Sequence, residues 1–373
     1  MNNDKPKRIV TRLLSSAGIT VNGNKPWDIS VFNDHFYTRV LQGGSLGLGE
    51  SYMEGYWDCV QLDDFFYKLL RANLDKSIHR SLQLKMDILL ARIFNFQRPA
   101  RAIRNGQRHY DTGNDLFLHM LDKRLTYTCA FWDNAHNLDE AQENKLDLSC
   151  RKLQLQPGMH VLDIGCGWGS FARYAAEKYG VAVTGVTISK EQAALAQERC
   201  AGLPVTIRLQ DYRMVNEKFD AVVSLGMFEH VGAHNYPEYM RVADRCLKDE
   251  GLFLLHTIGG NKTSAFTDQW LNKYIFPGAA IPTIRQIGQA IEGLFVLEHW
   301  ENFSVNYDKT LMAWYENVSA NWDKLKSRYD QTFFRMWKYY LMSCAGSFRA
   351  RHSQLWQIVL SKAGVPGGYT FNH

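Results

Sequence analysis

The sequence predicts an α/β protein whose larger part is a Rossmann-like parallel sheet with helices on both faces, preceded by a small N-terminal domain. Three observations predict it. From Pro157 onward, apolar runs of strand length alternate with helical segments. A glycine-rich turn from Gly165 to Gly169 joins the first of those strands to the first helix. The N-terminal residues show no such rhythm, and 373 residues exceed one average domain.

In the N-terminal part, "DISVFN" reads as a short strand and "LQGGSLGLGESYMEGYWD" as a glycine-punctuated piece. Helical spacing returns in "LDDFFYKLLRANL". The arginine-rich "NFQRPARAIRNGQRHYD", which contains Pro99, reads as a linker, so the organisation is residues 1–92, a basic linker 93–108, and a main domain 109–373. In the main domain "HVLDIG" is a buried strand, followed by the helix "SFARYAAEKYG". The pattern continues with the strand "VAVTGVT", the helix "SKEQAALAQERC", the strands "PVTIRLQD" and "FDAVVSL", the helix "YPEYMRVADRCL" and the strand "LFLLHTI". "LFVLEHWENF" and "SQLWQIVLSK" supply the last two strands. Between them sits an aromatic helical block from Thr310 to Phe348, large enough to wall a substrate cavity.

Composition narrows the setting. No apolar run reaches bilayer-spanning length, and "MNNDKPKRIVTRLL" lacks the apolar core of a signal peptide, which points to the cytosol. The seven cysteines (Cys59, Cys129, Cys150, Cys166, Cys200, Cys246, Cys344) are scattered without a CxxC pair, so neither a disulfide framework nor a structural metal site is expected. The net charge is only +5, yet Arg71, Lys76, Arg80, Lys85, Arg92, Arg98, Arg101, Arg104 and Arg108 face just Asp75 and Asp87 over that segment. Within it "LQLKMDILLARIFNF" is amphipathic, which suits a solvated face, an anionic membrane surface or nucleic acid.

"VLDIGCGWGS" carries the strongest local signal. Gly165, Gly167 and Gly169 follow a strand ending at Asp163 and open a helix, letting the backbone approach a ligand closely. The spacing is G-x-G-x-G rather than the G-x-G-x-x-G of a dinucleotide fold, which favours S-adenosylmethionine. The acid often found after the second strand to hold ribose hydroxyls is replaced by Thr187, with Gln192 shortly after. Asp211 and Tyr212 follow the third strand, where they flank an adenine or form a polar turn.

Chemistry-bearing residues follow the later strands. Glu229 and His230 lie in "SLGMFEHVGAHNY", at the carboxyl end of the sheet, where no NPPY-like turn of a DNA base methylase occurs. His256 ends the fifth strand. Taken singly, Tyr307 and Cys344 read as packing residues.

The motifs "HYDTGNDLFLHMLD", "LTYTCAFW", "LDIGCGWGS", "GVTISKEQ", "MFEHVG" and "YYLMSCAGSFRAR" resemble those of the bacterial cyclopropane-fatty-acyl-phospholipid synthases, and more distantly the cyclopropane mycolic acid synthases. The resemblance spans essentially the whole chain. It implies S-adenosylmethionine contacts at Tyr127, Thr128, Leu162 to Ser170 (Asp163, Gly165, Cys166, Gly167 and Gly169 among them), Thr187 to Gln192, Asp211 and Tyr212. It implies a bicarbonate site of Cys129, Glu229, His256, Ile258 through its backbone, and Tyr307, and it matches Cys344 to an active-site cysteine. It further implies a homodimer acting on unsaturated phospholipids, peripherally attached to anionic lipid on the inner face of the cytoplasmic membrane. Nucleic acid is not among the implied partners.

The chemistry suits these groups. A cis alkene is a weak nucleophile, so the methyl donor must be held close and in line. The resulting carbocation needs a dry pocket, where aromatic faces each contribute on the order of 0.5–2 kcal/mol. Ring closure needs a base for one methyl proton. Bicarbonate is the implied base, oriented by the mixed donors and acceptors of Glu229, His256 and Tyr307. No electropositive setting for a nucleophilic thiolate is visible around Cys129 or Cys344. The competing readings are a small-molecule methyltransferase without ring closure and a lipid-binding protein without catalysis.

Overall fold

A computed structural model of the chain describes residues 4–73, 113–263 and 268–371. The linker expected at 93–108 and the amphipathic "LQLKMDILLARIFNF" lie outside the described residues. The chain forms two compact units, one drawing on Met1–Leu116, Phe266–Pro277 and Leu311–His352, the other on Phe117–Ala265, Gly278–Thr310 and Ser353–His373.

In the first unit, β1 (Ile29–Val31) pairs antiparallel with β2 (Trp57–Cys59), Val31 lying opposite Trp57. The glycine-punctuated piece is helical over His35–Met53, broken at Gly44, whose φ of 55° and ψ of −130° interrupt the ladder. Trp57 centres an aromatic core, with the rings of Tyr52 and Phe65 at 5.1 and 5.2 Å. Its indole N–H donates to the Leu48 carbonyl at 3.1 Å, which makes its burial affordable for a polar-tipped ring. From the Gln331–Arg349 helix, Tyr339 packs on Tyr52, Phe66 and Trp270. Arg335 lies over the Tyr52 ring at 4.0 Å and donates to the Tyr52 and Trp57 carbonyls and to Asp58.

The aromatic block between the last two strands is therefore not one helix. Its described elements are Val305–Ala320, Trp322–Leu325 and Gln331–Arg349. Tyr329, Phe333 and Trp337 stack on one another, so these rings serve as core.

The second unit holds a seven-stranded sheet in the order β5-β4-β3-β6-β7-β9-β8. Its strands are β3 (His160–Ile164), β4 (Ala182–Thr187), β5 (Val205–Leu209), β6 (Phe219–Leu225), β7 (Leu247–Gly260), β8 (Val296–Asn302) and β9 (Ser353–Ser361). Strands β3 to β7 pair in parallel, as the alternation of strands and helices requires. The expected all-parallel sheet ends differently: β9 runs antiparallel between β7 and β8. Strand β8 follows the crossover helix Ile284–Ile291, and β9 fills the gap between β7 and β8 by running back.

Both sheet faces are covered, which explains the near-continuous apolar strands. Phe253 and Leu255 of β7 pack in the cluster with Tyr239 and Ile287, whereas Leu254 packs in the opposite cluster with Leu146, Phe171 and Ala196. Strand alternation puts His256 on the face of Leu254, beneath the Leu138–Lys152 helix. Among the described residues, no helix is long and apolar enough to cross a membrane.

Candidate active site

The glycine turn sits at the carboxyl end of β3. Gly165 has a φ of 82°, and a Cβ there would meet the Met227 side chain at 2.7 Å, so both backbone conformation and space demand glycine. The amides of Gly165 and Cys166 donate to the Val186 carbonyl at 3.0 and 3.1 Å, tying the turn to β4. Gly169 then caps the Ser170–Tyr179 helix in a left-handed conformation. Cys166 is buried, and burial raises its thiol pKa well above the usual range.

Asp163 is buried beneath this turn. Burial pushes its carboxyl up to about 7, against an opposing pull from Lys145. At the end of β4, the Thr187 hydroxyl donates to Gln192 Oε1 at 3.1 Å. Asp211 accepts from the backbone and guanidinium of Arg213, which hold its carboxyl below the usual range. Tyr212 packs on Tyr239 at 5.1 Å. Tyr127 meets Phe117, which meets Trp168 of the glycine turn at 4.9 Å. The Thr128 hydroxyl accepts from Lys145 Nζ at 2.9 Å, and Gln142 Nε2 donates to the carbonyls of Thr126 and Thr128.

Glu229 is buried and His230 exposed. Glu229 Oε1 accepts the Ile258 amide at 2.6 Å, so the implied backbone donor of Ile258 engages the carboxylate itself. Burial raises the Glu229 carboxyl to about 7, with that amide and the Thr257 hydroxyl opposing. His256 stands two residues before Ile258, and its carbonyl accepts from Gly226 at 2.9 Å. Burial holds the His256 imidazole well below its usual pKa, and Lys145 and Lys152 add to the effect.

Cys129 and Tyr307 enter from another direction. The Cys129 thiol lies beside the Thr310 hydroxyl. That hydroxyl also accepts from the Ala130 amide and the Trp132 indole N–H, at 3.1 and 3.0 Å. Asn306 accepts from the Trp132 amide at 2.8 Å, so the Cys129–Trp132 segment is stitched to the start of the Val305–Ala320 helix, which bears the buried Tyr307. Phe303 joins the two sides, its ring 5.8 Å from both Phe131 and His256. A cation is present beside Cys129 after all, since Lys145 draws the thiol down. Burial dominates, however, and the thiol stays protonated. Cys344 belongs to the first unit, on the Gln331–Arg349 helix, with its thiol raised to about 12 by burial.

The atoms left open define what the site can hold. Glu229 Oε2, His256 Nε2 and Asp163 Oδ2 are buried without a hydrogen-bond partner among the described residues. Each such atom costs about 1–3 kcal/mol unless something satisfies it. A carboxylate oxygen and an imidazole nitrogen left open in this way are groups of the kind that bind a small anion carrying a hydroxyl. An open aspartate beside a glycine cradle fits the polar groups of S-adenosylmethionine.

A family model described as mycolic acid cyclopropane synthetase matches residues 97–358. The chain belongs to that family. Over 361 residues, 97% of the chain and 94% of the relative, it is 56% identical to the cyclopropane-fatty-acyl-phospholipid synthase of Escherichia coli (strain K12). It is also 32% identical to a tuberculostearic acid methyltransferase of Mycobacterium tuberculosis, covering 95% of the chain and 88% of the relative. Among solved structures, a cyclopropane synthase from Mycobacterium tuberculosis matches at 33% identity and TM-score 0.64, over 68% of the chain and 96% of its own. A mycolic acid cyclopropane synthase complexed with SAH and CTAB matches at the same identity and TM-score, over 69% and 98%. The resemblance, the fold and the enzyme class expected from sequence are thereby shown: this cyclopropane synthetase family member is an S-adenosylmethionine-dependent methyltransferase.

Several residues around the pocket escaped sequence reasoning. Gln142, Lys145, Ser149 and Lys152 are all buried and follow one another at helical spacing on the Leu138–Lys152 helix. A polar stripe at core-facing positions was the available signal. Gln357 and Glu301, on the last two strands, gave none.

Proposed function

We propose that the protein transfers a methylene from S-adenosylmethionine to the cis double bond of phospholipid acyl chains, closing a cyclopropane ring through a carbocation. The observation that carries this reading is the buried Glu229, held by the Ile258 amide, with one oxygen open and its carboxyl near neutrality. Methyl transfer leaves a carbocation, and closing the ring removes a proton from the transferred methyl, so the chemistry calls for a proton acceptor held beside the reacting carbon. The phospholipid substrate comes from the name of the Escherichia coli relative.

When bound, S-adenosylmethionine supplies an electrophilic methyl, and bicarbonate supplies a small base for the methyl proton. The chain's own residues do the rest. Asp163, the Gly165–Gly167–Gly169 turn with Cys166, Thr187, Gln192, Asp211, Tyr212, Tyr127 and Thr128 form the cofactor cleft. Cys129, Glu229, His256, Ile258 and Tyr307 form the anion pocket, in which Glu229 and His256 orient the base. Cys129 acts as wall rather than nucleophile, because burial keeps its thiol protonated.

Residues 1–92 serve as the lipid-docking domain, residues 93–108 as linker and residues 109–373 as catalytic domain. The basic residues between Arg71 and Arg108 draw the enzyme, as a homodimer, to anionic lipid on the inner face of the cytoplasmic membrane. High salt weakens vesicle binding on this account, and salt-independent binding contradicts it.

The test is incubation with S-adenosylmethionine and cis-unsaturated phospholipid vesicles, followed by mass spectrometry and NMR of the lipids. Gain of a methylene with loss of the alkene and appearance of cyclopropane protons supports the reading. A methyl-branched product, which the tuberculostearic acid methyltransferase relative makes worth seeking, sinks ring closure.

A further inference from the structure

We propose that Gln357 is a positioning residue that fixes His256 as the Nε2–H tautomer, with Lys152 and Glu301 holding Gln357 in the orientation that does so. The proposal deepens the reading above and rests on it only for the role of His256.

The residues form a row across three strands. Gln357 of β9 lies directly opposite His256 of β7 and directly opposite Glu301 of β8. Side chains directly opposite in neighbouring strands share a face and meet. Lys152, the last residue of the Leu138–Lys152 helix, reaches the row fully shielded from water. Its Nζ donates to Gln357 Oε1 at 2.8 Å and pairs with Glu301.

Donor and acceptor logic then fixes the proton. An ammonium only donates, so the Gln357 atom facing Lys152 is the amide oxygen. The amide nitrogen must point the other way, where it lies 3.3 Å from His256 Nδ1 and 3.3 Å from Ser149 Oγ. The Ser149 hydroxyl spends its proton on the Lys145 carbonyl at 2.8 Å, so it too accepts from Gln357. An amide nitrogen only donates, so His256 Nδ1 is the bare, accepting nitrogen. The neutral ring therefore carries its proton on Nε2, the nitrogen without a partner among the described residues. His256 thus offers an N–H donor to the pocket while Glu229 offers an open carboxylate oxygen. Bicarbonate, with charged oxygens and one hydroxyl, matches one of each.

Neither Gln357 nor Glu301 touches reacting atoms, so their effect passes through the ring. Gln357→Glu places an acceptor in front of Nδ1 and draws the proton there. Gln357→Leu removes the selection between tautomers. Both variants should lower the rate of ring closure about 10–100-fold, as loss of an orienting outer partner does, with KM for lipid little changed.

The decisive experiment uses the full-length protein labelled with ¹⁵N-histidine. Long-range ¹H–¹⁵N correlation reports which ring nitrogen is protonated, and His256→Gln identifies the His256 signals among the twelve histidines. The expected result is a protonated Nε2 and a bare Nδ1 in the wild type, with a proton gained at Nδ1 in Gln357→Glu. A wild-type ring protonated on Nδ1 overturns the proposal, and so does a Gln357→Glu variant that keeps both the wild-type tautomer and the wild-type rate. The spectrum needs no lipid. Absence of cyclopropane product from the wild type therefore sinks the functional reading without touching the tautomer result.

Discussion

Two lysines on one helix, Lys145 and Lys152, are both fully shielded from water, yet the fold treats them differently. Lys152 reaches the Glu301 carboxylate and the Gln357 carbonyl oxygen, and with them closes a polar network. Lys145 reaches the Thr128 hydroxyl, and burial lowers its pKa to about 8 despite the pull of Asp122 and Asp163. Around Lys145 stand the groups whose atoms are open, Asp163 and His256, and the Cys129 thiol. The difference separates two uses of buried polarity. A closed network fixes geometry, whereas open atoms carry a cost in stability that a bound ligand would relieve.

Substitutions should divide along that line. The largest effect is expected at an open group: Glu229→Gln should slow ring closure about 10²-fold, because the base loses the carboxylate that orients it. Its urea unfolding midpoint should not fall, because the buried carboxylate contributes no stability at neutral pH. With the pKa raised from 4.5 to about 7, that stabilising contribution is full below 4.5 and lost as pH rises through 7. A Glu229→Gln variant that is both active and less stable would erase the distinction.

At the closed network the signs reverse. Lys152→Met removes the ammonium that Glu301 and Gln357 share and should destabilise by about 3–5 kcal/mol in urea unfolding. Adding Glu301→Gln should recover most of that loss. Failure of the double variant to recover would mean that Lys152 stabilises by some means other than the pair.

Lys145 sharpens the comparison through pH. Its pKa falls from 10.5 unfolded to about 8 folded, so the unfolded chain holds the extra proton between those values. Stability referable to this group is complete above 10.5 and lost as pH falls through 8. Relative to Lys145→Met, the wild type should gain up to about 3 kcal/mol between pH 8 and 10.5. A flat difference across that range would show Lys145 to be as fully compensated as Lys152.

The smallest effect concerns the segment that Lys145 holds. Gly226 has a φ of 71°, and a Cβ there would sit 2.6 Å from Thr128 Cγ2. Gly226→Ala should cost about 1–2 kcal/mol and weaken cofactor binding measured by calorimetry. Unchanged affinity would remove Thr128 from the cofactor cleft.

These contrasts also explain what the sequence could and could not convey. The buried strands from "HVLDIG" to "LFLLHTI" were legible because a sheet covered on both faces leaves near-continuous apolar runs. The glycine turn was legible because close backbone approach admits few other residues. The direction of β9 was not, since strand letters carry no sense of which neighbours a strand will join. That Glu229 rather than His230 is the buried one was legible only through the motif resemblance, since adjacent polar residues after a strand do not show which of them the turn buries. Least legible was the Leu138–Lys152 helix, whose Lys145 and Lys152 would ordinarily mark a solvated face. Lys152 is buried against Gln357 and Glu301, which only the folded register brings together, and Lys145 against the Thr128 hydroxyl.

The most direct test of the central claim is the initial rate of cyclopropane formation as bicarbonate is titrated into depleted buffer, in wild type and in Glu229→Gln. The account predicts a saturable rise in the wild type and a much weaker response in the variant. A wild-type rate independent of bicarbonate would contradict it.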